Sequence, residues 1–217
     1  MKAALAAALL LLAPGIARAQ DAAAPKTHYL PPDFAPNKDG FLEGWFGRHL
    51  ASMEEPVLWA PHALDGYRSR FRMLVLPSFH QPYVIGIDQR ADGRQELRYT
   101  RTKGRGGYGG GPIEERRTSA MAADRFAQVA DALTAARFAE RLPDNEGGSE
   151  FADAPRREDM IVCMDGTQLV FELLDASGHH VITRHECSLD APIRALVAAT
   201  LKAADIVPDR DRGDPMP

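Results

Sequence analysis

The apolar positions of the chain change their spacing from one stretch to the next, and those changes outline its elements. Phe41, Leu42, Trp45, Phe46, His49, Leu50 and Met53 recur three and four residues apart until Pro56 interrupts them. That is the spacing of an amphipathic helix, with Asp39 as a candidate cap. His49 reads there as a tolerated helix residue, not a ligand. Stretches that alternate in polarity or are rich in β-branched residues follow at Arg68 to Leu76, Tyr83 to Arg90 and Gln95 to Thr102. Pro77 to Pro82 separates the first two and Ala91-Asp92-Gly93 the last two. Asp-Gly between strands is a strong hairpin signal, so an antiparallel meander is predicted.

Ala122 to Leu142 predicts the clearest helix, with Phe126, Val129, Ala130, Leu133, Phe138 and Leu142 along one side and Pro143 closing it. A polar, glycine-containing loop covers 144 to 159. Thr167 to Leu174 and His179 to Cys187 form a second hairpin about Asp175-Ala176-Ser177-Gly178. A last helix runs from Pro192, a residue suited to a first turn, to about Ile206, burying Ile193, Leu196, Val197, Thr200 and Leu201. Each half thus has a hairpin, a Tyr-Thr-Arg (99 to 101) or Ile-Thr-Arg (182 to 184) strand end, and then a helix. The expected fold class is α+β, an antiparallel sheet of two hairpin or meander units with the helices on one face. The halves are either a ββα pseudo-repeat or two chance instances of a common motif.

The hydropathy of the N-terminus describes something else. Lys2, an apolar run from Ala3 to Ala13, the breaker Pro14-Gly15 and the small-x-small triplet Ala17-Arg18-Ala19 have the layout of an export signal cleaved near Ala19. The run is too short for the roughly 20 residues of a membrane span. A periplasmic or secreted protein starting at Gln20 is expected. Residues 20 to 40 carry Pro25, Pro31, Pro32 and Pro36 and read as a flexible tether, and 207 to 217 as a disordered tail. One folded domain at 41 to 206 remains, with no other span. Losing Lys2 and Arg18 changes 26 basic and 30 acidic residues to 24 and 30, a charge of −6. Such a balance excludes general attraction to nucleic acid or anionic lipid.

Cys163 and Cys187 are the only cysteines. In an oxidising compartment a disulfide between them is favoured over two buried thiols. With Leu174 facing His179 across the turn, Cys187 falls opposite Gly166 and Cys163 lies just beyond the same hairpin end, within disulfide reach.

Catalytic patterns are sparse. Gly104, Gly106 and Gly109 in KGRGGYGGG satisfy G-x-G-x-x-G, but Pro112 and a charged stretch replace the helix that phosphate binding needs, so a turning loop with Tyr108 as a contact is the better reading. His179, His180 and His185 suggest periplasmic metal binding, yet a strand puts His179, His185 and Cys187 on one face with ends too far apart to share one ion. Glu172 in VFELL needs a partner if buried, and Arg184 is the expected one. The candidate binding residues are Arg68, Tyr108, Glu172, His180 and Arg184; no catalytic residue, metal or cofactor is assigned.

Glu55-Pro56, Tyr67-Arg68, Phe79-His80-x-Pro82, Gly106-Gly107-Tyr108-x-x-Gly111, Asp165-Gly166 with Glu172, Gly178-x-His180, Arg184 and Pro192-Ile193-Arg194-Ala195-Leu196 span nearly the whole folded body. Together they resemble a family of exported bacterial proteins of about this length that carry no assigned activity. The resemblance implies one compact domain and export, and transfers no catalytic residue. Where that family often has a Tyr-His strand and an Arg-Trp-Ser-Pro ending, this chain has His179-His180 and Arg184-His185-Glu186-Cys187. The expected function is a non-enzymatic module that presents a sheet face or the glycine loop to a protein or envelope component. The alternatives are a hydrolase acting on envelope material through a Glu172, His180 and Arg184 cleft, and metal handling through the histidines.

Overall fold

The computed structural model describes residues 28–31, 34, 40–143 and 165–215. The alternating stretches pair into one six-stranded antiparallel sheet. Its strands are β1 (Tyr67–Pro77), β2 (Tyr83–Arg90), β3 (Gln95–Thr102), β4 (Ile113–Ala120), β5 (Thr167–Asp175) and β6 (Gly178–His185), in the spatial order β4-β3-β2-β1-β5-β6. The helices are α1 (Phe41–Ser52), α2 (Ala123–Ala135) and α3 (Ala191–Ala203). The fold is α+β. Among the described residues no helix is long and apolar enough to cross a membrane.

Helices cover both faces of the sheet, not one. Alternate side chains of the central strands, including Phe71, Met73, Ile85, Leu97, Leu169 and Phe171, pack with Val129 of α2 and Ile193, Leu196, Val197 and Leu201 of α3. The opposite set, Leu74, Leu76, Val84, Val170 and Val181, packs with Phe46, Leu50 and Met53 of α1. The last eight positions of β1 are all buried, as a central strand covered on two sides requires. Leu30 and Phe34, within the stretch read as a tether, join the α1 layer. The prolines around them prevent a regular pattern, but two apolar side chains suffice to hold a segment against a hydrophobic layer.

Two further elements differ from the expectation. β4 lies where only a charged connection was read. Its sequence IEERRTSA has almost no apolar side chains because it is an edge strand whose residues are mostly exposed, and edges tolerate charge because it discourages pairing with other chains. It also separates the first hairpin from its helix, which breaks the symmetry of the two halves, although α2 and α3 do pack together on one face. α2 stops at Ala135, seven residues before Leu142. Arg137 adopts a left-handed backbone, φ 49°, and Phe138 turns inward, edge-on to Phe71 and Phe171 at 6.4 and 6.5 Å. The C-terminal segment is docked rather than trailing. Thr167 Oγ1 donates to the Gly213 carbonyl at 2.7 Å, and Asp214 is buried.

The second hairpin has the expected register, Leu174 opposite His179. β6 ends at His185, however, and Cys187 sits in a short 3₁₀ turn, Glu186–Ser188, rather than on the strand. Cys163, the export signal and the loop at 144 to 159 lie outside the described residues.

Candidate functional site

Burying two faces of a sheet makes an inward charged residue costly unless it finds a partner. On the α1 face, β1, β2, β3 and β5 place Arg70, Arg72, Asp88, Arg98 and Glu172, and Glu55 reaches in from the loop after α1. Arg70 donates to Asp88, Nε to Oδ1 at 3.2 Å, and Asp88 Oδ2 also accepts from Arg98 Nε at 3.1 Å. Arg98 Nη1 reaches both Glu55 oxygens at 3.0 Å. Glu55 lies 3.5 Å from Arg72, and Arg72 donates to Glu172 through Nε at 2.7 Å and through Nη2. His179 Nε2 completes the ribbon 3.0 Å from Glu172 Oε1. Three guanidinium groups thus face three carboxylates across four strands, with His179 on a fifth. Burial opposes the Arg98 charge, but Glu55 and Asp88 outweigh it and raise its pKa. Gly86 makes the crossing possible, since a Cβ there would stand 2.5 Å from Arg98 Nη2.

This ribbon corrects the expected partner of Glu172, which is Arg72, not Arg184. In the β5–β6 register Arg184 stands opposite Leu169 and therefore projects to the other face. Its guanidinium donates to the backbone carbonyls of Leu142, Pro143 and Thr183. His180 also lies off the ribbon, with Nε2 3.1 Å from Ser177 Oγ at the hairpin turn. Glu172, His180 and Arg184 therefore share no cleft. His179 and His185 point to one side but are six residues apart, about 20 Å along a strand, and His185 Nδ1 accepts from the Cys187 amide. Among the described residues no group of three metal-ligating side chains converges. Arg68 donates to the Ala91 carbonyl at one end of β1, and Tyr108, 64% exposed, lies beyond the other end.

The glycine loop is a packed structural element. A Cβ on Gly106 would stand 2.4 Å from the Leu76 backbone, and one on Gly110 1.9 Å from Ser52 Oγ. Trp45 Nε1 donates to the Gly106 carbonyl at 2.8 Å. The glycines let the loop lie between the end of β1 and α1, which is why G-x-G-x-x-G appears here without a phosphate-binding helix.

The loop also forms one wall of a cleft that sequence reasoning missed. Its floor is the α2/α3 side of the sheet at the start of β2 and the end of β3. Tyr83 pairs with Arg101, Arg101 with Glu115, and Tyr99 with Arg117, so all five side chains lie on that side. Lys103 and Arg105 come from the glycine loop, and Ile206, Val207, Arg212 and Asp214 from the C-terminal segment. The cavity is about 630 Å³. The Tyr83 and Tyr99 rings lie 5.8 Å apart, and the Arg117 guanidinium sits 4.7 Å above the Tyr99 ring while donating to the Ala204 carbonyl at the end of α3. The Tyr83 hydroxyl is buried with no hydrogen-bond partner in good geometry. Burial first, then the charge of Asp214, raises its pKa well above the ordinary tyrosine value. Only the Phe79 and His80 motif and the glycine loop marked this region in the sequence. Tyr83, Tyr99 and Arg101 lie on strands the sequence predicts but carried no site signal, and the remaining residues come from the unrecognised β4 and the C-terminal segment.

No protein-family model matches the chain, and no curated protein is detectably similar to it.

Proposed function

We propose that this chain is exported and acts, in the periplasm or outside the cell, as a non-enzymatic binding module for a protein or envelope component. Its contact surface is the cleft between the glycine loop, β3, β4 and the C-terminal segment. The observation that carries this reading is a set of cations without acidic partners around an aromatic floor. Among the described residues Lys103, Arg105 and Arg117 line the cleft and form no ion pair with a carboxylate. Both faces of the sheet are occupied by helices, and the Glu172 ribbon is internally neutralised, so neither offers a comparable surface. The leader layout and the resemblance to exported bacterial proteins support the location. The disulfide between Cys163 and Cys187 belongs to the same reading.

Two measurements test it. Protein recovered from a bacterial host is expected in the envelope or culture fraction with Gln20 at its N-terminus; intact Met1 on cytoplasmic material overturns export. Wild type and a Lys103→Glu/Arg105→Glu variant, both at exposed positions, are then used to capture ligands from envelope extracts. The wild type is expected to retain a component that the variant loses, and identical capture overturns the cleft as the contact surface.

A further inference from the structure

We infer that the cleft is a site for a small anionic ligand, a carboxylate or phosphate group carried on an aromatic or otherwise planar body. This deepens the reading of the cleft as the contact surface and rests on it. A volume of about 630 Å³ falls within the range of small-molecule sites. The lining carries Arg101, Lys103, Arg105, Arg117 and Arg212 against Glu115, Asp205 and Asp214. Each of those acids is already engaged: Glu115 lies 3.2 Å from Arg101, Asp205 2.7 Å from Arg125 and Asp214 3.1 Å from Arg212. The positive charge that remains is free for a ligand.

Two features distinguish this site from an ordinary basic surface patch. The first is the floor. Tyr83 and Tyr99 are nearly fully buried, Phe79 stands 52% exposed at the rim, and Arg117 is held against Tyr99 by stacking and by its bond to the helix end. A cation fixed beside apolar area serves a ligand that is charged at one end and flat at the other. The second is the Tyr83 hydroxyl, buried beside the Asp214 carboxylate without a hydrogen bond in good geometry, and its electrostatic neighbours Asp214, Tyr99 and Arg212 all line the cleft. Buried hydroxyls are rarely left with poor hydrogen-bond geometry, and a ligand polar group at the floor of the cleft would improve this one. Nucleic acid fits less well, because it needs an extended basic track and this chain is acidic outside the cleft.

The test is titration calorimetry on the mature, oxidised protein at low salt, with phenyl phosphate, benzoate, inorganic phosphate, benzyl alcohol and benzylamine as probes. Phenyl phosphate or benzoate is expected to bind at least about tenfold more tightly than inorganic phosphate, with no saturable binding of the neutral and cationic rings. Which of the two aromatic anions binds better tells phosphate from carboxylate recognition. Lys103→Gln and Arg117→Gln are each expected to weaken binding by about tenfold, the effect of losing one charged hydrogen bond; Lys103 is exposed, so its variant leaves the fold intact. The inference is overturned if neither aromatic anion saturates by about 10 mM, if inorganic phosphate binds as tightly, or if both variants bind like wild type. Should the probes fail while envelope capture still depends on Lys103 and Arg105, a macromolecule occupies the cleft and only this inference falls. Loss of both removes the binding reading as well.

Discussion

Replacing His49 with leucine converts an inward-facing polar group of α1 into a pH-dependent stability difference that can be worked out in advance. His49 is fully buried, and neither ring nitrogen has a hydrogen-bond partner in good geometry. Burial lowers its pKa to about 4, with the Gly106 backbone opposing the shift and Arg48 adding to it. A group whose pKa is about 6.5 when unfolded and about 4 when folded takes up protons preferentially in the unfolded chain. Its contribution is therefore intact above pH 6.5 and is lost as pH falls toward 4. Linkage gives a loss of about 1.4 kcal/mol at pH 5.5 and about 2 kcal/mol at pH 5. Effects of acid on the rest of the molecule are common to both proteins and cancel in the difference. Leucine removes two poorly satisfied polar atoms and has similar volume, so His49→Leu should match or exceed wild type at pH 7.5. Urea denaturation of both proteins between pH 7.5 and 5, at constant ionic strength, measures the difference directly. Stability difference curves that stay parallel across that range, with unchanged m-values, would refute the assignment of His49 as a buried neutral group.

Other outcomes follow from the same packing. Glu172→Ala should lose about 3–5 kcal/mol because it leaves the Arg72 charge buried. The double change Arg72→Met/Glu172→Leu should recover at least half of that; simple additivity in chemical denaturation would contradict a coupled pair. Gly106→Ala should cost about 1–3 kcal/mol, since its Cβ would meet backbone atoms that cannot turn away. Gly109→Ala, with no atom within 4 Å of its Cβ, should be neutral, and equal thermal shifts would argue against the packed loop. Non-reducing peptide mapping should recover residues 163 and 187 in one cross-linked fragment, and Cys187→Ser should lower stability by about 3 kcal/mol. Free thiols at both positions in exported protein would exclude the bridge.

Much of the scaffold follows from local pattern. β2 and β3 begin and end where their alternation does, and the Asp175 to Gly178 turn sets the hairpin register because glycine at positive φ closes it in one way. α3 starts where Asp190 caps it, its carboxylate accepting from the Ile193 amide, and proline follows at the first turn. These are interactions between neighbours in the chain, and the order of residues is enough to specify them.

What surrounds those elements depends on contacts between residues far apart in sequence. β4 has the composition of a linker and becomes a strand because β3 offers an unpaired edge to it. Glu172 could be read as needing a cation, yet the chain holds many arginines, and the choice of Arg72, 100 residues away, is made by the β1–β5 pairing. The cleft has no contiguous signature for the same reason. Its cations sit on a glycine loop, two strands and a C-terminal segment, and they share one cavity only after sheet order brings those ends together. Local sequence determines the backbone path of each element through nearby sterics and hydrogen bonds, whereas burial of the sheet decides which charges must meet and which stay at the surface.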